Sequence, residues 1–283
     1  MKRLTTALAF ILSVSMLTAC GSSDSSDSSQ TQEASSAAQP AESTSESTSE
    51  SSEAAPTYKS IKLMLFGDSI TDGFWLEGGY RPFLCDKLEE NGLSQYVDFV
   101  GKKQSGGGYD NQHEGYTGYS IERITESITG ARTGLKNIAK RRLEENKPDV
   151  VTLMVGTNDI LSHYELDKAG ERLEGLVDEI FEYLPDDGML FLATIPDMDA
   201  NDTTYIDAAT YTVEYMDQCV EDYNKQVTAL VEKKKGEGKN IELCDVHSVL
   251  TKEDLYDGVH PSEAGYIKLA DYWYDVISKY IAQ

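Results

Sequence analysis

The sequence is poor in basic residues compared with acidic ones. Its 283 residues include 25 Lys and Arg against 49 Asp and Glu, which gives a formal net charge of −24. A surface that binds nucleic acid needs clustered Lys and Arg, because binding releases the counterions of the phosphates. The charge balance therefore argues against nucleic acid as a partner and favours neutral or weakly charged partners.

The sequence also lacks a hydrophobic run long enough to span a membrane. Its longest run, 7–17, follows Lys2 and Arg3 and is typical of a secretory signal, whereas a spanning helix needs about 20 apolar residues. The run ends in Leu17-Thr18-Ala19-Cys20-Gly21, which resembles the lipobox of bacterial lipoproteins. This resemblance implies that 1–20 is a lipoprotein signal and that Cys20 carries the lipid. We expect a protein anchored through Cys20 at the extracellular face of the bacterial cell membrane, or otherwise secreted.

Residues 21–56 contain no Val, Ile, Leu, Met or aromatic side chain, but they hold fourteen Ser, seven acidic residues and no basic residue. A segment with nothing apolar to bury cannot form a packed core. We therefore expect a disordered tether over 21–56 and a single folded domain over 57–283, which is long enough for one core. Cys85, Cys219 and Cys244 allow at most one disulfide in that domain, and we expect buried free thiols.

Apolar runs alternate with helical patterns along the folded part. Five runs are predicted as strands: 61–66, 96–100, 150–155, 189–195 and 241–246. The helical patterns cover 81–90, 120–145, 166–184, 210–235 and 262–280. This alternation predicts an α/β fold, a three-layer α/β/α sandwich around a five-stranded parallel sheet, with the active site at the carboxyl ends of the strands.

Four short motifs bear residues suited to acyl transfer. Gly67-Asp68-Ser69 follows the first strand and exposes a hydroxyl. Gly156-Thr157-Asn158 follows the third strand and offers a side-chain amide donor to a substrate oxygen. Gly118 could present its backbone N–H to the same oxygen. In Asp257-Gly258-Val259-His260 the carboxylate can accept from imidazole Nδ1–H and leave Nε2 as a base. Each motif alone could equally be a turn or a helix cap.

Taken together, these motifs resemble the SGNH (GDSL-type) hydrolases over 61–281, a family with a flavodoxin-like fold. Gly79-Tyr80-Arg81 and the segments 113–121 and 257–261 are similar to family 3 of the carbohydrate esterases, which are mostly acetylxylan esterases. The resemblance implies Ser69 as nucleophile, His260 as general base and then acid, and Asp257 as its orienting carboxylate. It implies an oxyanion hole made by Ser69, Gly118 and Asn158, an acyl-enzyme intermediate and no cofactor or metal.

Other candidate sites are weaker. His247, with Asp245 two residues before it, is a poorer base, and His113-Glu114 lacks the second histidine of a zinc helix. The segment 197–202 begins like a calcium loop but lacks its glycine and its closing glutamate. Aromatic side chains in loops near the expected site could stack on sugar rings. These are Trp75, Tyr116, Tyr119 and Tyr205.

The sequence as a whole predicts an extracellular, monomeric serine esterase that deacetylates an O-acetylated polysaccharide of the acetylxylan type, or its oligosaccharides. The nearest alternative keeps the chemistry but changes the substrate to another O-acetylated cell-surface glycan or to a short-chain or lipid ester. An alternative of another class is a non-catalytic glycan-binding lipoprotein on the same fold. The membrane is expected as a partner only through Cys20.

Overall fold

The computed structural model describes residues 56–202, 204–205 and 211–282. The expected signal 1–20, with Cys20, and the expected tether 21–56, apart from Pro56, lie outside these residues. In the described part, no helix combines the length and the hydrophobicity that crossing a bilayer requires. Cys85 and Cys244 are buried, Cys219 is half-buried, and all three are free thiols.

A seven-stranded sheet forms the centre of the domain. Its strands are β1 (Ile61–Gly67), β2 (Val97–Phe99), β3 (Lys103–Gln104), β4 (Gln112–Gly115), β5 (Val150–Met154), β6 (Met189–Ala193) and β7 (Ile241–Cys244). Five of them run parallel in the order β2-β1-β5-β6-β7, and these are the five strands that the sequence predicts. The α/β fold with a mostly parallel sheet is thus confirmed.

The two additional strands were not predicted. β4 pairs with the last two residues of β1, on the edge that β2 occupies further back, and β3 runs antiparallel to β4. Both are very short and lie in a glycine-rich stretch without an apolar run. Because of this pairing, the residues that follow β4 lie at the carboxyl end of β1.

Seven α-helices connect or flank the strands in the described part of the chain: α1 (Ser69–Asp72), α2 (Arg81–Glu90), α3 (Lys136–Asn146), α4 (Thr157–Leu161), α5 (Ala169–Tyr183), α6 (Val213–Gly236) and α7 (Glu263–Ile281). α2 packs against α7, while α5 lies between α3 and α6. These two groups cover the two faces of the sheet, as right-handed crossovers in this strand order require. β1 and β5 are therefore shielded on both sides, and nearly all their residues are buried.

The predicted helix over 120–145 is wrong in its first half, since only Lys136–Asn146 is helical. Residues 120–135 form an irregular loop that two bridges close, one between Ser120 and Gly134 and one between Ile124 and Arg132. A Cβ at Gly134 would lie 2.3 Å from the backbone of Glu122, so the two arms of the loop approach more closely than a larger residue allows. Glycine and β-branched residues are also poor helix formers.

β1 and β5 are neighbours in the sheet, but the connections that follow them run in opposite directions. The chain passes from β1 to β2 on one side, and from β5 to β6 on the other side. Such a reversal opens a crevice at the carboxyl ends of the two strands, where open α/β sheets bind their ligands. Ser69 follows β1 and Asn158 follows β5, so the topology brings both side chains to this crevice.

Candidate active site

Ser69 is the first residue of α1, immediately beyond β1. The carboxylate of Asp68 caps this short helix by accepting a hydrogen bond from the backbone N–H of Ile70 at 3.0 Å. A Cβ at Gly67 would lie 2.2 Å from Thr71 Oγ1 and 2.6 Å from the carbonyl oxygen of Met154. Only glycine fits there, and the tight turn it permits places Ser69 at the sheet edge, 4% exposed.

His260 lies against Ser69, although 191 positions separate them in the chain. Its Nε2 is 2.8 Å from Ser69 Oγ, and its Nδ1 is 2.9 Å from Asp257 Oδ2. The chain directly after His260 is held by two contacts. Ser262 caps α7 by accepting from the N–H of Gly265, and the indole N–H of Trp75 donates to the carbonyl of Pro261 at 2.7 Å.

Asp257 is held as an acceptor for His260. Its Oδ1 also accepts from the backbone N–H groups of Val259 (3.1 Å) and His260 (2.8 Å). Partial burial raises the pKa of this carboxyl, but the hydrogen bonds from the backbone and the imidazole of His260 outweigh it and leave the pKa below its ordinary value. An ionised Asp257 keeps the imidazole oriented with Nδ1–H towards the carboxylate and Nε2 towards Ser69.

Two aromatic rings enclose the imidazole. Phe74 stacks on His260 with the ring centroids 4.7 Å apart, and Tyr205 meets it edge-on at 5.9 Å. The Tyr205 hydroxyl also lies 3.4 Å from Asp257 Oδ2. These rings restrict the access of water to the His260–Asp257 pair from the outside.

Gly118 and Asn158 face the same cavity as Ser69. Gly118 has φ +80°, which glycine adopts without strain. Asn158 is almost fully buried, and its Nδ2 donates one hydrogen bond to the carbonyl of Tyr119 at 2.9 Å. An amide nitrogen carries two hydrogens, so Asn158 retains a second N–H for a bound group.

The cavity at these residues has a volume of about 190 Å³. Its apolar wall includes Leu161 and Val259, and Arg132 also lines it, bonded to Gly118 and Asn158. A neighbouring groove of about 290 Å³ shares Phe74 and Thr117 with it and adds Asp72, Trp75, Glu77 and Ser105. Larger surface depressions, of about 450 and 600 Å³, contain none of these residues. The reactive groups thus border a small cavity beside a polar groove.

The structure separates the four aromatic candidates. Tyr205 lines the small cavity, and Trp75 lines the adjoining groove and stacks on Tyr256. Tyr116 does not line either cavity, because its hydroxyl is bonded to Glu114 and Arg142. Tyr119 packs on the Tyr116 ring and is also outside both.

The other histidine candidates are also remote from the cavity. His113 is buried, and its ring nitrogens contact Ser105 Oγ and the N–H of Gly115. His247 faces Asp197 at 3.8 Å, rather than a serine. In the described residues no group of three or more His, Cys, Asp or Glu side chains is arranged to hold a metal ion, and this includes the segment 197–202.

Sequence reasoning missed two residues of the site, Arg132 and Phe74. Arg132 falls within the segment wrongly predicted as a helix, and Phe74 is an isolated aromatic in a loop. Neither belongs to a motif, so only the folded chain reveals that they contact Asn158 and His260.

Comparison with known proteins found a matching family and two similar proteins. A family model described as GDSL-like lipase/acylhydrolase matches residues 63–273. A multidomain esterase from Ruminococcus flavefaciens is 34% identical over 238 residues, which are 78% of this chain and 29% of that protein. A putative endoglucanase X from Acetivibrio thermocellus is 28% identical over 135 residues, covering 47% of this chain and 51% of that protein. The chain therefore covers less than two thirds of the length of either relative.

Solved structures share the fold. A family 3 carbohydrate esterase from Clostridium thermocellum superimposes with a TM-score of 0.59 at 30% identity, covering 79% of this chain and 100% of that one. A family 3 carbohydrate esterase from Talaromyces cellulolyticus gives a TM-score of 0.61 at 23% identity, covering 78% and 98%.

Proposed function

The chain belongs to the GDSL-like lipase/acylhydrolase family, and on that premise we propose that it is a serine esterase that removes acetyl groups from an O-acetylated polysaccharide of the acetylxylan type. The observation that carries the proposal is the contact chain from Ser69 Oγ through His260 to Asp257, with distances of 2.8 and 2.9 Å. This chain of contacts has the geometry of a nucleophile, its base and the group that orients the base.

In the proposed reaction, His260 Nε2 takes the proton of Ser69 as Oγ attacks the acetyl carbonyl carbon. The carbonyl oxygen becomes an oxyanion held by the backbone N–H groups of Ser69 and Gly118 and by Nδ2 of Asn158. Protonated His260 then donates its proton to the sugar oxygen, and the sugar leaves as an alcohol. Water enters, gives a proton to His260 and attacks the acetyl carbon. The bond from this carbon to Ser69 Oγ then breaks, His260 returns the proton to Oγ, and acetic acid departs and ionises to acetate in solvent. Asp257 stabilises the imidazolium in both halves.

The size and polarity of the site support an acetyl group on a sugar. The cavity beside Ser69, of about 190 Å³, is well below the 300–1,000 Å³ or so of pockets that enclose larger ligands. The adjoining groove offers carboxylates, hydroxyls and the rings of Phe74 and Trp75, which suit the hydroxyls and the apolar faces of a neutral sugar. The similarity to a structure named as a family 3 carbohydrate esterase, at 30% identity, points the same way.

The proposed setting is outside the cell. In this proposal residues 1–20 are the export signal, and a lipid on Cys20 anchors the protein to the membrane. Residues 21–56 are the tether, and the domain 57–283 acts as a monomer without a cofactor. The acidic composition of the chain suits a neutral glycan, because no phosphate or carboxylate has to be attracted.

The experiment compares the wild type with Ser69→Ala on acetylated xylan, on acetylated peptidoglycan and on nitrophenyl esters of increasing acyl length. We expect acetate release from xylan, a preference for acetyl over long acyl chains and loss of hydrolysis in Ser69→Ala. A fluorophosphonate should add one adduct to the wild type, visible in the intact mass, and none to Ser69→Ala. Ser60→Ala, at an exposed serine before β1, is the matched control and should retain both properties.

Each competing function has its own outcome in this comparison. A higher kcat/KM on long acyl chains would contradict the acetyl-glycan assignment. Hydrolysis confined to acetylated peptidoglycan would contradict the acetylxylan type and identify another O-acetylated cell-surface glycan as the substrate. Glycan binding without a phosphonate adduct would identify a non-catalytic binding protein. Undiminished hydrolysis by Ser69→Ala would refute the proposed nucleophile.

A further inference from the structure

The guanidinium of Arg132 lies at the wall of the cavity and contacts the two residues that complete the proposed oxyanion hole. A single nitrogen, Nη1, donates to Asn158 Oδ1 at 2.8 Å and to the carbonyl oxygen of Gly118 at 3.2 Å. The opposite side of the guanidinium is anchored, because Nε donates to Ser162 Oγ at 2.7 Å and Nη2 to Thr129 Oγ1 at 3.1 Å. One side chain therefore ties together the residues that hold the two donors.

Asn158 needs such a partner because a free side-chain amide has two nearly equivalent orientations. In the observed orientation Nδ2 donates to the carbonyl of Tyr119 and Oδ1 accepts from Arg132. A flipped amide would place its NH₂ against the guanidinium and its oxygen against a carbonyl, so both contacts would become repulsive. Arg132 thus keeps Nδ2, rather than Oδ1, on the side of Tyr119 and the cavity.

The positive charge of Arg132 strengthens the same donor. A hydrogen bond from a cation to Oδ1 withdraws electron density from the amide, and this makes the remaining Nδ2–H a better donor. Ser69, Asn158 and His260 are almost fully buried, and electrostatic effects on a developing oxyanion are larger in such surroundings than in solvent. Lysine could supply the charge, but it lacks the planar fork that reaches several acceptors at once.

We infer that Arg132 is a positioning residue of the proposed oxyanion hole, and that it acts on the transition state through Asn158 and Gly118. The inference rests on the proposed esterase function. The loop 120–135 does not depend on this side chain alone, since backbone hydrogen bonds join Arg132 and Ile124 in both directions, at 2.8 and 3.1 Å. Removal of the guanidinium should therefore impair turnover more than folding.

The test is a double-mutant cycle between Arg132→Met and Asn158→Ala, measured with a nitrophenyl acetate at saturating and subsaturating concentrations. We expect Asn158→Ala to lower kcat by about 10²–10³-fold. Arg132→Met should lower kcat by about 10–100-fold while KM changes by less than about threefold, because the lost contacts serve the transition state. The double variant should lose little more than Asn158→Ala alone.

Two comparisons separate positioning from a structural role. Arg123→Met removes an exposed arginine from the same loop and should leave kcat and the thermal unfolding midpoint unchanged. Arg132→Lys should recover part of the kcat that Arg132→Met loses. If Arg132→Met does not fold, the cycle between Arg132→Lys and Asn158→Ala answers the same question.

Multiplicative losses in the double variant would overturn the inference, because they would mean that Arg132 does not act through Asn158. A rise in KM at unchanged kcat would overturn it as well, since it would indicate substrate binding instead. A wild type without activity on any ester would refute the proposed function, and that result is distinguishable from both.

Discussion

Replacing Asp68 by asparagine should change how the stability of the protein depends on pH. Asp68 is fully buried beside Ser69. Burial raises the pKa of its carboxyl from 3.8 to about 7, because the charged form loses its hydration. The charge of nearby Asp159 raises the pKa further. The hydrogen bond from the backbone N–H of Ile70, the hydroxyl of Thr157 and the charge of Arg132 lower it in part.

The direction of the effect follows from proton binding. Between about pH 4 and pH 7 the unfolded chain has released the Asp68 proton while the folded protein still holds it, so stability falls as pH rises. A shift from 3.8 to about 7 corresponds to about 4 kcal/mol at about 1.4 kcal/mol per unit. This loss is absent at low pH, and it is complete above the pKa of the folded state.

Asp68→Asn keeps an acceptor for the N–H of Ile70 but has no proton to lose. We therefore expect the unfolding free energy of the variant, relative to the wild type, to rise by up to about 4 kcal/mol between about pH 4 and pH 8. Urea unfolding at a series of pH values measures this difference, and Asp86→Asn, at an exposed aspartate of α2, is the matched control. A difference that is independent of pH would refute the reasoning.

Two further substitutions test the geometry of the site. Asp257→Asn should lower kcat on a nitrophenyl acetate by about 10⁴-fold, because the amide would favour the imidazole tautomer whose Nε2 cannot accept a proton; a loss below tenfold would argue against the orienting role. Gly156→Ala should lower the unfolding free energy by more than about 2 kcal/mol, since its Cβ would lie 2.4 Å from the Tyr223 ring at φ +132°. Gly236→Ala, where a Cβ meets nothing within 4 Å, is the control in urea unfolding, and an equal loss there would contradict this explanation.

The sequence predicts the parallel sheet well because each of its strands is marked by local composition. β1 and β5 are buried on both faces, so they appear as almost uninterrupted apolar runs. The helix α2 begins and ends where its pattern indicates, at Arg81 and Glu90. β3 and β4 have no such signal, because pairing with the end of β1 creates them.

Some residues of the proposed site can be predicted from local sequence, and others cannot. Ser69, Asn158 and His260 each lie in a short motif next to the start of a helix, so their types and spacing can be read locally. Arg132 and Phe74 cannot, because their roles come from contacts between distant segments, such as Arg132 with Asn158 and Phe74 with His260. Because residues 120–135 have a helical pattern, the sequence does not single out Arg132. In the structure this segment is not helical, since the close contact of the backbone at Gly134 overrides the local preference for a helix.

The charge around the site differs from that of the whole chain. The chain has a net charge of −24, but surface charges are largely screened beyond about 10 Å at ordinary salt. Close to the cavity, the carboxylate of Asp257 is paired with His260, and Asp159 is paired with Arg172 at 3.1 Å. The guanidinium of Arg132 lies next to the proposed oxyanion donors. In the proposed mechanism the oxyanion therefore develops beside a positive charge, although the protein as a whole is strongly acidic.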